Sequence, residues 1–151
     1  MKHTFVLDEN VYIQSYTCRN IQNSADDFCS LHLIVGILKK CHKIGLTGEL
    51  IGKYLEKSKI LEESGKIYSN TVRIWNHLVQ TNDKHRFNES HLKDLPSNLQ
   101  HDKHVIEPAL FLSGTLVTTD DKLKKRLTKW AEKKKLEIRV ASPEEALSLV
   151  E

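Results

Sequence analysis

The chain has 151 residues, 28% of them charged and 39% hydrophobic, with a formal net charge of +3 and a pI near 8.7. That suits one soluble globular domain over residues 1–151, and the lack of any long apolar run excludes a membrane-spanning segment. The three cysteines (Cys18, Cys29 and Cys41) are odd in number and lack close CxxC spacing. This argues against a disulfide framework or zinc knuckle and for a reducing cytoplasm.

The chain opens on Thr4-Phe5-Val6-Leu7. Its uninterrupted apolar run reads as a strand buried on both faces. One lysine and this short run are too little for a signal peptide. The strand delivers Asp8 and Asn10, in the run Asp8-Glu9-Asn10, to the carboxyl edge of a sheet, where open α/β folds bind ligands.

A short helix is expected over 11–19 and a turn over 20–23. Ser24 is the expected N-cap of an amphipathic helix over 25–41, with Asp26 and Asp27 in its first turn. Lys43-Ile44-Gly45-Leu46 is the second strand, and Thr47 caps a helix over 48–58. Strand and helix alternate, which calls for a parallel sheet with crossover helices. Helical pieces are expected over 62–68 and 69–79. The polar stretch 80–100 reads as a loop with a helical turn at 90–95.

Asp102 opens the next helix, with Val105, Ile106, Ala109, Leu110 and Leu112 as its buried face and Pro108 as a point of kinking or early termination. Ser113-Gly114 ends it. Leu116-Val117 forms the second central strand and delivers Asp120. A basic helix over 121–135 follows, with eight Lys/Arg residues between positions 122 and 135 against one acid, Glu132. Such a face is either simply solvated or a phosphate-contacting rim. An edge strand at 137–140 precedes Ser142-Pro143-Glu144-Glu145, which has an N-cap, a first-position proline and a capping-box glutamate.

Asp8, Asp102 and Asp120 are remote in sequence, yet this topology sends two strand ends and one helix start to the same edge. Clustered carboxylates repel one another unless a cation sits among them. An all-oxygen set selects Mg²⁺ or Mn²⁺ over zinc, and such an ion activates water for phosphodiester hydrolysis. Taken singly, each residue has a plainer reading: Asp8 as an N-cap, Asn10 as a turn residue, Thr118 as a β-branched strand residue. His101 and His104 lie at HxxH spacing beside Asp102. With no further ligand pattern they read as helix-surface histidines.

Two blocks carry a resemblance. The first is Phe5-Val6-Leu7-Asp8-Glu9-Asn10, a hydrophobic strand ending in Asp-x-Asn. The second is the Asp102-led helix with Ala109-Leu110, followed by Gly114-Thr115-Leu116-Val117-Thr118-Thr119-Asp120. Together with the terminal strand and Ser-Pro-Glu-Glu helix, they resemble the PIN-domain nucleases, a family that includes VapC-like toxins.

The resemblance implies a three-layer α/β/α PIN-like domain with a mainly parallel central sheet. It also implies a metal-dependent endoribonuclease in which Asp8, Asp102 and Asp120 hold Mg²⁺ or Mn²⁺. Asn10 and Thr118 would orient the acids, and Lys122, Lys124 and Lys125 would meet the RNA backbone. A homodimer and inhibition by a small protein antitoxin belong to the same expectation. The chain departs from the family where a helix glutamate is usual: Lys53 stands there, and Glu49, one turn earlier, is the substitute candidate. Two rivals follow. One is a PIN-like RNA- or protein-binding module with a weakened site. The other is a phosphotransfer protein with Asp8 as phosphoacceptor, for which Asn10 stands where a second acid is wanted.

Overall fold

The structure is a computed structural model that describes residues 2–63, 71, 73–75, 77, 84–86 and 94–151. A five-stranded, all-parallel sheet runs in the order β3-β2-β1-β4-β5, where β1 is Thr4–Leu7, β2 Lys43–Leu46, β3 Lys84–Arg86, β4 Thr115–Val117 and β5 Arg139–Ala141. The helices make it a three-layer α/β/α fold. They are α1 (Glu9–Thr17), α2 (Cys29–Lys39), α3 (Gly48–Glu63), α4 (Lys103–Phe111), α5 (Asp121–Lys134) and α6 (Pro143–Val150). Among the described residues, no helix is long and apolar enough to cross a membrane.

β1 is central because it can be buried on both faces: Phe5, Val6 and Leu7 are essentially inaccessible. Phe5 lies opposite Ile44 on one side and Thr115 on the other, and Leu7 lies opposite Val117. The chain builds outward from β1 through β2 to β3, then returns to lay β4 on the other flank. The reversal makes the gap beyond the carboxyl ends of β1 and β4 the topological switch point, where such sheets open a crevice. Asp8 leaves β1 there, its N–H extending the ladder to the Val117 carbonyl at 3.0 Å.

Several helix boundaries are set by local hydrogen bonding. Thr47 Oγ1 accepts from the Leu50 N–H at 3.0 Å, as the sequence predicts for a cap, but α3 runs to Glu63 rather than to 58. Ser142 and Glu145 form the full capping box. Ser24 does not cap α2. It has a φ of 56°, and the helix begins only at Cys29. The Asn20 and Asn23 side chains take the N–H groups of Gln22 and Ala25, and Asp27 takes that of Cys29. These side-chain turns hold the segment out of helical conformation.

Pro108 does not end α4 early; the helix continues to Phe111. A proline at this position has no N–H for the His104 carbonyl. The Thr47 hydroxyl donates to that carbonyl at 3.4 Å instead, which also ties α4 to the end of β2.

Two strand expectations need correction. The last strand is Arg139–Ala141, shifted from 137–140. The stretch read as a loop contains β3, whose Lys-His-Arg sequence has no apolar residue to signal an edge strand. The pieces expected at 62–68, 69–79 and 90–95 lie largely outside the described residues, of which 71, 73–75 and 77 are helical.

Under the switch point lies an aromatic cluster. Tyr12 and Tyr54 stack with centroids 4.9 Å apart and planes 9° from parallel, and Trp75 closes on both. Trp75 Nε1 donates to Ser15 Oγ at 2.6 Å, and the Tyr54 hydroxyl donates to the Leu7 carbonyl. The last carbonyl of β1 is thereby held from below, immediately before Asp8.

Candidate metal centre

Asp8 ends β1 and caps α1: its Oδ1 accepts the Glu9 N–H at 2.8 Å. Its Oδ2 accepts from the Thr118 hydroxyl at 2.8 Å. Thr118 lies just past β4, fixed by its own N–H to the Ala141 carbonyl, and its oxygen also accepts the Asp120 N–H at 3.1 Å. One hydroxyl thus ties the carboxylate after β1 to the backbone after β4. Asp120 caps α5, its Oδ1 accepting from the N–H groups of Lys122 and Leu123.

The electrostatics reflect crowding of acids in a dry place. Asp8 is 3% exposed. Burial pushes its pKa well above the ordinary carboxylate range, and Glu9 and Asp102 push the same way, while the Thr118 hydrogen bond opposes them. Burial also raises Asp102, helped by the charges of Glu9 and Asp120 and opposed by His104. For Glu9 burial acts upward too, but hydrogen bonds with His104 and Asp8 outweigh it and hold that carboxyl well below its usual range. Asp8 is thus pushed up by Glu9 and Asp102, and Asp102 by Glu9 and Asp120.

The tightest assembly of metal-binding side chains among the described residues is Asp8, Glu9 and His104. One ligand atom from each lies within 4.8 Å of the others. Glu9 is the first residue of α1, and His104 is the second of α4. His104 Nε2 stands 3.0 Å from Glu9 Oε2, and the histidine side chain is 1% exposed against 19% for Glu9. His104 is thus no surface residue. α4 is buried almost continuously from His104 to Ala109, so a polar residue there faces inward. Asp102 and Asp120 stand outside this closest trio.

The donor set fits a divalent cation. Asp8 and Glu9 are adjacent buried and half-buried carboxylates, one pushed up and the other down in pKa, and a cation would satisfy both. Within the trio, Asp8 and Glu9 would offer oxygen and His104 nitrogen.

The remaining expected residues are placed as follows. Asn10 is half-buried in the first turn of α1 and makes no side-chain hydrogen bond among the described residues. Glu49 is exposed at the start of α3 and lies outside the trio, with Lys53 half-buried one turn on. Lys122 and Lys125 are exposed on α5, whereas Lys124 is engaged by Glu145 of α6 at 2.6 Å. That contact holds the Glu145 carboxyl below its usual range. A cavity of about 180 Å³ beyond Thr119 is lined with Asp27, Asp121 and Glu144, which makes it a poor path for a phosphate backbone. Compared with known proteins, the chain matches no family model and no curated sequence.

Glu9 is not singled out by the sequence, and His104, which the sequence places on a helix surface, is buried instead. Glu9 is the middle residue of the Asp8-Glu9-Asn10 run. His104 has a local signal in the near-continuous apolar text Val105-Ile106 and Pro108-Ala109 around it, which marks a helix buried on most sides.

Proposed function

We propose that this chain is a PIN-like, Mg²⁺- or Mn²⁺-dependent endoribonuclease, with Asp8, Asp102 and Asp120 holding the ion. The observation that carries the reading is the buried Asp8 carboxylate at the switch point. It is fixed by Thr118 and repelled by Glu9 and Asp102. A fold maintains such repulsion at a cost, and functional sites are where that cost is commonly met.

When bound there, a divalent ion supplies an activated water and offsets charge building on the phosphate under attack. The protein's own part is orientation and phosphate contact. Thr118 aims Asp8 and ties it to the Asp120 backbone. Asp120 is set by the first turn of α5. The exposed Lys122 and Lys125 on that helix meet the RNA backbone, while Lys124 steadies α5 against α6 through Glu145.

A cytoplasmic setting accords with Cys18, Cys29 and Cys41 all being free thiols. Pairing with a protein antitoxin, and dimerisation, belong to the same proposal. A second reading, an RNA-binding module with a weakened site, is favoured by the exposed position of Glu49 and by Lys53 beside it.

The test of the first reading is cleavage of a structured RNA mixture with Mn²⁺ by wild type and by Asp8→Asn. Loss of cleavage in the variant is expected, and equal cleavage by both overturns the assignment. Wild type that binds RNA and no metal supports the second reading.

A further inference from the structure

We infer that the imidazole of His104 is a direct ligand of the ion, together with Asp8 and Glu9, and that it tunes the site for Mn²⁺ over Mg²⁺. The inference rests on the metal-dependent reading above and gives the site a nitrogen donor that an all-aspartate set lacks.

Distance carries the first part of the argument. In a small divalent site with bonds of about 2.0–2.2 Å, ligand atoms on opposite sides of the ion are about 4.4 Å apart. The ligand atoms of Asp8, Glu9 and His104 already lie within 4.8 Å of one another before any contraction. The three come from two chain segments remote in sequence, positions 8–9 and position 104, brought together where α1 and α4 begin. His104 is also held through its backbone, its carbonyl accepting from Thr47. The imidazole is therefore placed rather than loosely hung.

The second part is a polar atom without a partner. His104 Nδ1 is buried and has no hydrogen-bond partner among the described residues. Buried polar nitrogens are nearly always paired, and a histidine kept only to brace two helices would be expected to use both of its own. This ring instead presents Nε2 to a carboxylate and leaves the other nitrogen unused in a site 1% exposed. Nε2, already turned toward Glu9, is the nitrogen that would meet a cation entering beside Glu9 and Asp8, with the ring proton then on the unpartnered Nδ1.

Chemistry then decides which ion. Mg²⁺ takes oxygen ligands in strict octahedra and keeps its waters. Imidazole suits later first-row ions, and Mn²⁺ lies at the near end of that series while still accepting carboxylates. Two carboxylates and one imidazole thus favour Mn²⁺ over Mg²⁺, with Asp102 close enough to contribute charge.

The test is pulsed electron paramagnetic resonance of Mn²⁺ bound to the full chain, with Mn²⁺ and Mg²⁺ affinities measured by competition and RNA cleavage assayed in the same buffers. In wild type a ¹⁴N coupling from a ligating imidazole is expected, and it should vanish in His104→Gln. That variant should lose about tenfold or more in Mn²⁺ affinity while changing little toward Mg²⁺, so that the preference collapses. Glu9→Gln, which keeps the ring, should retain the ¹⁴N coupling, and circular dichroism checks the fold of both variants.

Mn²⁺ bound without ¹⁴N coupling, or an unchanged Mn²⁺ to Mg²⁺ ratio in His104→Gln, overturns the inference while leaving the nuclease reading intact if wild type still cleaves. Nitrogen coupling in a wild type that cleaves no RNA upholds the inference and removes the nuclease reading. No binding of either ion overturns both.

Discussion

Thr118→Val isolates what one hydroxyl does at the switch point. The substitution keeps the β-branched shape that suits the strand end and removes only the oxygen. Two hydrogen bonds go with it, one to Asp8 Oδ2 at 2.8 Å and one from the Asp120 N–H at 3.1 Å, at a residue 3% exposed. Leaving a buried partner unpaired costs about 1–3 kcal/mol, and the added methyl group returns about 0.8 kcal/mol through burial. The net loss is therefore about 0.2–2.2 kcal/mol, or up to roughly 9 °C in Tm for a chain of this size.

The second effect separates a site residue from a merely structural one. Thr118 is the group that opposes the upward push on Asp8, so without it the carboxyl holds its proton to higher pH and a cation must compete harder. Differential scanning calorimetry with Mn²⁺ titrations across pH reads both effects. The expected result is a lower Tm and a Mn²⁺-binding midpoint moved to higher pH. A lower Tm with an unmoved midpoint refutes the role given to Thr118.

Three further outcomes are expected. Because the fold raises the Asp8 pKa, metal-free folded protein binds a proton more tightly than the unfolded chain. The Asp8 contribution to stability is thus lost as pH rises through that raised value. Metal-free Asp8→Asn should therefore melt above wild type at neutral pH, with the gap closing as pH falls toward the ordinary value of 3.8, by thermal melts in chelator. Gly45→Val should destabilise by overpacking, about 1–3 kcal/mol in a urea titration, since even a Cβ there would meet Leu112 Cδ1 at 2.9 Å and Val6 Cγ2 at 3.0 Å. Lys122→Ala with Lys125→Ala should weaken RNA binding and flatten its salt dependence without moving Mn²⁺ affinity, whereas Lys124→Ala should act mainly on Tm, by fluorescence anisotropy and melting.

The parts of this fold that are legible in the sequence are those specified locally or buried on all sides. Phe5-Val6-Leu7 and Leu116-Val117 announce central strands because no solvent face interrupts them. Ser142 and Glu145 announce a helix start because the hydrogen bonds they exchange span one turn. β3 is silent because an edge strand needs no apolar residue, and the late start of α2 follows from asparagine and aspartate turns competing with a serine cap. At the site, strand ends bring Asp8 and Thr118 together where sequence order and parallel topology direct them. Glu9 and His104 meet because the starts of α1 and α4 come together at the carboxyl edge of the sheet, a tertiary fact that neither segment carries alone.

The most direct measurement is Mn²⁺ binding by isothermal titration calorimetry to wild type, Asp8→Asn and Asp102→Asn, paired with RNA cleavage by the same preparations. The account predicts a specific site in wild type, its loss together with cleavage in Asp8→Asn, and weakening of both in Asp102→Asn. Cleavage that persists when Asp8 has lost its charge, or Mn²⁺ binding unchanged in both variants, would contradict it.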